Sequence, residues 1–418
     1  MRLRGCKLIV AAAVTVGAVA GCGGTEATDP QSEETTATAE TATAEVDPAA
    51  LDTGDYPTDP APAFGNATPE EVAPVDGQRM AEFVVAPWEV DPEFNDPTLP
   101  TFVVRNYKML KGTLDESVYE VPANASSAIY GFVTSARTST AGDRAGTERA
   151  LTNLVMRYID PAAAAAAAGQ MAEASAARPG STAVDIPGLP DSHGISSTAV
   201  AGEVELAAFT PHGEYVLYSW ASAPQDRADE VEATLARIVE LQGPLIDRFP
   251  RTPTRSQNGG ERPQLEVDQN DILIYAIPAA ADAPAGDADR GVYGPRGMSH
   301  FYASPAEMYR TLSKHGSEHN AIYKTTVYRA STPDDAAAML TEFDGLSRSN
   351  GWTTIPSPAG LPNASCLTKT TQSADQYSCS VQVGRYIGEA SGLDDRTDVY
   401  RQISAQYLIL TKADQDAR

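Results

Sequence analysis

The chain has 418 residues, with 56 Asp or Glu against 31 Lys or Arg, so its formal net charge at pH 7 is −25. This acidic balance argues against nucleic acid as a partner, because binding to phosphates requires clustered Lys and Arg. It also disfavours adhesion to anionic lipid headgroups and is typical of a soluble extracytoplasmic protein.

Residues 1–21 have the layout of a lipoprotein signal peptide. Three basic residues come first, residues 8–20 are apolar or small, and Ala20-Gly21 directly precedes Cys22. A diacylglyceryl group would be attached to the thiol of Cys22 before cleavage. The apolar run of about 13 residues is shorter than the roughly 20 that span a bilayer, which disfavours an uncleaved anchor. We therefore predict lipidation at Cys22 and attachment to the outer face of the cell membrane through acyl chains such as palmitate.

Residues 22–50 are predicted to form a disordered tether that begins at the lipidated cysteine. The stretch 23–48 is rich in Thr, Ala and Glu and contains neither an aromatic nor a basic residue. Such a segment cannot bury enough apolar surface to offset its ordering entropy. A flexible chain of this length reaches roughly 25 to 30 Å, which lifts a folded body off the membrane surface.

Two stretches of the chain repeat one pattern. VMRYIDPAAAAAAAGQM at 155–171 is similar to VYRASTPDDAAAMLTEF at 327–343, and the motif GLP occurs at 188–190 and at 360–362. A constant offset of 172 positions indicates an internal duplication that gives paired domains. The residue pairs at this offset are Tyr130 with Tyr302, Val155 with Val327, Arg157 with Arg329, Pro161 with Pro333, and Gly188 with Gly360.

Each unit is predicted to be an α+β domain of the β-α-β-β-α type. A β-rich run such as 321–330 precedes a helix, and the helix start at Asp160-Pro161 or Thr332-Pro333 combines an N-cap side chain with a first-turn proline. Further strands follow, and a closing helix at 228–249 or 397–414 completes the unit.

A polar stretch rich in Pro and Gly, residues 250–263, separates the two units. Such composition is typical of a domain boundary. We therefore predict an N-terminal domain over 51–255 and a C-terminal domain over 256–418.

Cys366 and Cys379 are predicted to form a disulfide. Cys6 leaves with the signal peptide and Cys22 would be lipidated, so these two thiols remain. An oxidising compartment permits the bond, and closing a loop of about a dozen residues contributes on the order of 3 kcal/mol. Because no histidine is near in sequence and a C-x-x-C motif is absent, we expect neither zinc nor redox chemistry there.

His315, Glu318 and His319 have the H-x-x-E-H spacing of one class of helical zinc peptidases. A capping box at 304–307 predicts the start of a helix, and Gly316 predicts its end directly after His315. The two histidines would then not share a helix face, which the zinc site requires. We therefore expect no metal and no cofactor, with His315 either at a favourable helix C-terminus or solvated.

Other functional patterns are weak. The sequence lacks a G-x-S-x-G nucleophile elbow, a phosphate-binding loop and an S-x-x-K motif. Arg79 and Glu82 are one helical turn apart and could form a weak surface pair. The three tryptophans are expected in the core rather than on a binding surface: Trp88, Trp220 and Trp352.

Four segments carry a family resemblance: LDTGDYPTDPAP at 51–62, QRMAEFVVAPWEVDP at 78–92, YGPRGMSHF at 293–301 and TTVYRA at 325–330. They resemble an uncharacterised family of secreted lipoproteins from mycobacteria, nocardiae and relatives. The resemblance implies an envelope lipoprotein with two related domains and without established catalytic residues.

Two functional classes remain open on the sequence. In the first, the protein is a binding module, and an envelope lipid, glycan or protein partner occupies a cleft between the homologous domains. In the second, it is an envelope hydrolase with a site assembled between the domains, which clustering of His193, His212, His300 or His315 around a pocket would favour. A non-catalytic structural role at the surface is a third alternative. The absence of catalytic motifs favours the binding module.

Overall fold

The computed structural model describes residues 46–138, 148–198, 202–279, 290–371 and 373–417. The predicted signal peptide, Cys22 and most of the predicted tether lie outside these ranges. Within them, none of the helices has both the length and the apolar character that a membrane crossing requires. Two seven-stranded sheets with helices on their faces form the fold, which confirms the α+β class.

The first sheet belongs to the N-terminal half. Its strands are β1 (Asp96–Val104), β2 (Ala128–Arg137), β3 (Ala150–Tyr158), β4 (Ser181–Val184), β5 (His193–Ser197), β6 (Glu203–His212) and β7 (Tyr215–Pro224). Adjacent strands are antiparallel, and their order across the sheet is β1-β2-β3-β7-β6-β5-β4.

The second sheet belongs to the C-terminal half. Its strands are β8 (Gly291–Tyr293), β9 (Asn320–Ile322), β10 (Thr326–Arg329), β11 (Thr353–Ile355), β12 (Ser365–Thr370), β13 (Asp375–Val383) and β14 (Tyr386–Leu393). These strands are also antiparallel, in the order β11-β12-β13-β14-β10-β9-β8.

The helices lie before, between and after the strands. They are α1 (Pro69–Met80), α2 (Pro87–Val90), α3 (Glu116–Tyr119), α4 (Pro122–Ser127), α5 (Pro161–Ala176), α6 (Ala228–Ile246), α7 (Pro295–Ser299), α8 (Pro305–Lys314), α9 (Pro333–Ser349) and α10 (Arg396–Leu410). Short 3-10 helices occur at Pro48–Ala50, Ala81–Phe83, Tyr107–Gly112, Gln225–Arg227, Gln269–Asp271 and Leu273–Tyr275.

The two sheets have one topology when strands are counted from the start of each half. In both, the third strand lies beside the seventh, a long helix follows the third strand, and a closing helix follows the seventh. The structure thereby confirms the duplication. Each unit contains more strands than the predicted β-α-β-β-α pattern. The prediction missed some of them because strands of three residues, such as β8 and β11, are too short to show periodicity in the sequence.

Four of the five residue pairs at the constant offset occupy equivalent places. Pro161 and Pro333 are the first residues of α5 and α9, and Gly188 and Gly360 both have a φ of +82°. A positive φ favours glycine, which explains the repeated GLP turn. The fifth pair is not equivalent, because Tyr130 lies in β2 whereas Tyr302 lies in the loop before α8.

Each sheet is covered by helices on both faces. In the first sheet, Leu154 packs in the cluster that contains Ala167 of α5, whereas Leu151 packs in the cluster that contains Leu235 of α6. In the second sheet, α9 and α10 take the corresponding places. Because successive strand residues point to opposite faces, both faces must be apolar to be buried in this way.

The two halves share a hydrophobic core. One cluster joins Met80 of α1 and Phe132 of β2 to Met298 of α7, Tyr328 of β10 and Phe343 of α9, and all five are buried. A contact of this kind is unlike the loose joint between independently moving domains. The halves therefore form one packed body around this shared cluster.

Residues 46–62 lie against the C-terminal half. The hydroxyl of Tyr56 donates to Asp398 at 2.7 Å, Arg401 pairs with Asp52 at 3.0 Å, and Leu51 packs against the cluster beneath α10. The boundary predicted at residue 50 falls inside this segment, and residues 46–50 of the predicted tether are part of the described structure. The predicted domain limits remain predictions.

Cys366 and Cys379 face each other across β12 and β13. They are direct partners in the strand register, and their sulfur atoms are 2.02 Å apart, at disulfide distance. In the first sheet the corresponding partners are Gly194 and Ala208. The predicted pairing therefore coincides with a cross-strand contact that only the C-terminal half uses for cysteines.

Candidate binding cleft between the two halves

A cavity of about 740 Å³ lies between the N-terminal and C-terminal halves. Its size falls in the roughly 300 to 1,000 Å³ range of small-molecule sites. It is lined by Val85, Trp88, Glu89, Pro92, Leu241, Pro244, Leu245 and Arg248 from the first half, and by Arg296, Ala306 and Arg310 from the second. We call it the cleft.

Three helices that begin with proline supply much of the cleft wall: α2, α7 and α8. Proline suits the first helical position, because a backbone N–H at that position would have no hydrogen-bond partner within the helix. Glu89 also accepts the backbone N–H of Ala86 at 2.9 Å, which fixes the start of α2. Trp88 and Glu89 are thereby held at the rim of the first half.

Gln242 fixes the position of α2 against α6. Its side chain is fully buried, donates to the carbonyl of Phe83 at 2.8 Å and accepts the N–H of Val85 at 2.8 Å. Asn153 of β3 donates to the same amide oxygen at 2.9 Å. A buried polar group that is fully hydrogen-bonded specifies one arrangement of its neighbours. The wall formed by Val85, Trp88 and α6 is therefore preformed.

A salt bridge crosses the floor of the cleft. Arg296 of α7 donates to both oxygens of Glu89, at 3.0 and 3.1 Å, and to the carbonyl of Glu82 at 2.9 Å. Burial disfavours the charged guanidinium, but the hydrogen bonds and charge of Glu89 outweigh it and raise the pKa of Arg296. Glu89 belongs to the first half and Arg296 to the second, so this two-bond pair joins the two halves.

An aromatic surface adjoins this pair. The rings of Trp88 and Tyr309 are 5.3 Å apart, and the guanidinium of Arg296 lies 5.3 Å from the centre of the Tyr309 ring. The buried Nε1 of Trp88 has no hydrogen-bond partner within the described part of the chain. The expectation that Trp88 lies in the core is wrong, because Trp88 is only partly buried and lines the cleft. Trp220 packs against the core of the first half in partly buried form, as expected.

The cleft is positively charged within an acidic chain. Its charged lining consists of Glu89 and three arginines. Arg248 is exposed and makes no ion pair with any residue that the structure describes. Arg310 is 65% exposed, and among the described residues its one ion-pair partner is Glu307, one helical turn away at 3.0 Å. These two arginines, one from each half, carry charge that is weakly compensated.

His300 lies at the joint between the halves but outside the cleft lining. Its Nδ1 is 3.1 Å from the hydroxyl of Thr134 in β2, and its Nε2 is 3.2 Å from the carbonyl of Ala81. Burial lowers the pKa of His300 to about 3. The imidazole is therefore neutral, with Nε2–H donating to the carbonyl and Nδ1 accepting from the hydroxyl.

The end of α8 confirms the prediction for the H-x-x-E-H stretch. The helix ends at Lys314, His315 is its C-cap, and Gly316 has a φ of +63°. His315 and His319 contact different partners, since His319 lies beside Asn270. The predicted capping box does not form, because the hydroxyl of Ser304 accepts from the amide of Asn350 at 2.9 Å instead.

His315 is not solvated, contrary to one of the two expectations. Its side chain is 5% exposed, and its two nitrogens are each 3.2 Å from a carboxylate, of Asp335 and Glu342. Lys314 also bonds to Glu342, and this hydrogen bond, with that from His315, lowers the pKa of Glu342 to about 2. Both carboxylates belong to α9, so His315 connects the end of α8 to α9 and has a structural role.

The other histidines do not assemble a common site. His212 lies 2.8 Å from Asp247 in a separate cavity of about 240 Å³, which also contains Glu214 and Arg251. His193 is exposed on β5. No group of three or more His, Cys, Asp or Glu residues in the described ranges has the geometry to hold a metal ion.

Sequence patterns missed a buried polar network in the first half. Asp76 of α1 is fully buried and accepts hydrogen bonds from Tyr130, Arg79 and Thr252. Arg157 of β3 donates to Tyr130 and to the carbonyl of Thr252, at 2.8 and 2.7 Å. The pair of Arg79 with Glu82 does not form, because Arg79 bonds to Asp76 at 2.6 Å, whereas Glu82 accepts the backbone N–H of Gly297 at 2.9 Å. The spacing of Asp76 and Arg79, three positions apart in one helix, is the sequence feature that could have predicted their pairing.

The chain matches two related family models. The model described as "Domain of unknown function (DUF7373) N-terminal" matches residues 63–259, and the C-terminal model of the same family matches residues 272–413. The gap between the matches overlaps the predicted linker. No curated protein matches the chain.

One solved structure with a match is the extracellular domain of PknH from Mycobacterium tuberculosis. The two chains are 14% identical, and the match covers 42% of this chain and 98% of that one, with a TM-score of 0.26. A score this low carries no inference about this protein. The two family models together cover most of the sequence, and the chain belongs to the DUF7373 family.

Proposed function

We propose that the protein is a lipid-anchored extracytoplasmic binding module whose ligand occupies the cleft between the two halves. One observation carries the proposal: both halves of a duplicated fold contribute side chains to a single cavity of small-molecule size. Binding sites occur preferentially at such junctions. A preformed wall lowers the entropy that a ligand would lose on binding.

Two features support the location. The predicted signal peptide over residues 1–21, directly before Cys22, and the resemblance to secreted lipoproteins favour a lipid anchor, and the cysteine pair at disulfide distance suits an oxidising compartment. Replacement of Cys22 by Ala would release the protein from membranes into the soluble fraction. Retention of that variant in the membrane fraction would contradict the proposed anchor.

The cleft chemistry favours binding over hydrolysis. A hydrolase needs a nucleophile beside a base, and the cleft lining in the described ranges contains no Ser, Cys, His or Asp. Its one carboxylate, Glu89, is held in a two-bond pair with Arg296. One of its two oxygens also accepts the backbone N–H of Ala86, so both oxygens are already engaged by groups of the protein.

The test is recovery of a bound molecule from the native source. The full chain is purified from an envelope extract and examined by native mass spectrometry, beside Ala306→Phe, which fills the cleft, and Leu241→Gln, which makes its wall polar at similar volume. We expect the unmodified chain to retain a small molecule and both variants to lose it.

Two controls accompany this comparison. Thermal unfolding shows whether each variant is folded, and Arg237→Gln, at an exposed position of α6 outside the cleft lining, reports on nonspecific loss. An unmodified chain without a bound molecule, or the same molecule on both cleft variants, would overturn the proposal.

A further inference from the structure

We infer that the cleft ligand is an amphipathic anion, with a carboxylate or phosphate held between Arg248 and Arg310 and an apolar chain lying along Trp88 and α6. The inference rests on the proposed function and specifies its ligand. Its basis is the distribution of charge, polarity and aromatic surface around the cavity.

The first argument is charge. The whole chain has a formal net charge of −25, yet among the described residues the charged side chains that line the cleft are three arginines and a single glutamate. Glu307 and Glu82 lie against Arg310 and Arg296 outside this lining. Arginines gathered at one cavity of an acidic protein create a local positive potential that attracts anions. A cationic ligand is disfavoured there by the same potential.

The second argument is which arginines are available. Arg296 uses its donors on Glu89 and on the carbonyl of Glu82, so it has little capacity for a ligand. Arg248 has no ion pair within the described ranges, and the bond from Arg310 to Glu307 is an exposed pair of low energy. Arg248 and Arg310 come from opposite halves, so an anion between them would be bound from both sides.

The third argument is the apolar wall. Leu241, Pro244 and Leu245 extend along one side of α6 at the cleft, and Trp88 lies at α2 with its ring against Tyr309. A hydrocarbon chain covering this wall would remove apolar surface from water, at about 25 cal/mol for each Å² buried. The lining therefore suits an extended apolar group.

The fourth argument concerns sugars. A neutral glycan is recognised through many hydroxyl contacts, which require side-chain amides, hydroxyls or free carboxylates. The part of the lining that the structure describes contains no Ser, Thr, Asn or Gln. The polar capacity of the cleft is concentrated in guanidinium groups, which match carboxylates and phosphates in shape and charge.

The test compares ligands that share one chain and differ in the head. Dodecanoate, dodecyl phosphate and dodecanol are titrated into the full chain by calorimetry below their aggregation concentrations, with acetate as the anion that lacks a chain. We expect at least one of the two long anions to bind about tenfold more tightly than dodecanol, and acetate to bind far more weakly than either. The preferred head then distinguishes a carboxylate from a phosphate ligand.

Two arginine variants test whether the anionic head of the ligand contacts Arg248 and Arg310. We expect Arg248→Gln and Arg310→Gln each to weaken binding of the preferred anion by about tenfold, while leaving dodecanol unchanged. Arg237→Gln is the control, because Arg237 lies on the same helix as Leu241 and pairs with Glu240 at 2.9 Å outside the cleft lining.

The outcomes separate this inference from the proposed function. Equal affinity for dodecanol and both long anions, or no effect of the two arginine variants, overturns the anionic class. If the long ligands bind to the unmodified chain in that case but not to Ala306→Phe, the cleft is still the binding site and the proposed function stands. Failure of all three long ligands also overturns the ligand class, and the envelope purification then decides the function independently.

Discussion

The imidazole of His300, from the C-terminal half, lies against the ring of Phe132, from the N-terminal half, with 4.9 Å between the ring centres. The same imidazole bonds to Thr134 and to the carbonyl of Ala81, and Arg296 is a nearby positive charge. A titratable group is therefore buried at the joint in its neutral form. The joint should weaken when that group is protonated.

The free energy of unfolding is predicted to fall as the pH decreases below 6.5, the pKa of an unperturbed histidine. The pKa of His300 is about 3 in the folded chain, against 6.5 for an unperturbed histidine. Between these values the unfolded chain binds one more proton, so the free energy of unfolding rises with pH. This residue should account for a loss of about 2 kcal/mol between pH 7 and pH 5.

Denaturant unfolding of the wild type and of His300→Gln at both pH values measures this loss. The variant is less stable at pH 7 but should show a smaller difference between the two pH values. His193→Gln, at an exposed position on β5, is the control. An unchanged pH dependence in His300→Gln would contradict the prediction.

Glu89→Gln is predicted to destabilise the joint by about 2 kcal/mol, because it removes the carboxylate that accepts two hydrogen bonds from the partly buried guanidinium of Arg296 and leaves that guanidinium with the carboxylate of Glu82 at 3.6 Å. The side chains of Arg296 and Glu89 are 15% and 20% exposed. Chemical unfolding at neutral pH provides the measurement. Arg237→Gln removes an exposed pair instead and should change stability by less than about 0.5 kcal/mol. Equal effects of the two variants would show that the crossing pair adds no more stability than an exposed surface pair.

Asp76→Asn is predicted to cost about 3 kcal/mol or more, because removing the buried carboxylate leaves nearby buried donors and the charge of Arg79 uncompensated. Tyr130→Phe removes one hydroxyl from the same network and should cost about 1 to 2 kcal/mol. Urea unfolding of both variants and of the double variant gives the coupling energy between the two positions. Additive effects would indicate that the network does not act as a unit.

Cys366→Ala is predicted to lower the free energy of unfolding by about 3 kcal/mol through the lost loop constraint. Peptide mapping without reductant should join the two cysteine-containing peptides in the wild type. The reduced wild type and the variant should have similar stability. Free thiols in protein isolated from the envelope would contradict the pairing.

Much of the fold could be predicted because the relevant signals are local. The starts of α5 and α9 follow from an N-cap residue and a proline, and the caps form, with Asp160 accepting from Ala163 at 2.8 Å and Thr332 from Asp335 at 3.0 Å. The end of α8 follows from Gly316. The strand number did not follow, because strands of three residues are defined by their partners.

The candidate site was predictable only in outline. Duplication predicted a junction between two halves, but no pattern indicated that Trp88 would reach it or that Arg248 and Arg310 would lie at one cavity. These residues are far apart in the sequence and belong to different helices, so only packing brings them together. Arg79 shows the same limit, since local spacing favoured Glu82 while the tertiary contacts of Asp76 decided its partner.

The sequence by itself determined the acidic charge, the duplication, the helix starts and the cysteine pairing, because each depends on composition or on neighbours along the chain. Lipidation at Cys22 stays a prediction from the sequence. Only the tertiary structure decided that the halves share one core, that residues 46–62 pack on the C-terminal half, and that His300 is buried at the joint. Those features arise from burial and from contacts between distant segments. The free energies of these contacts depend on which surfaces pack together, and the spacing of residues along the sequence does not show which surfaces those are.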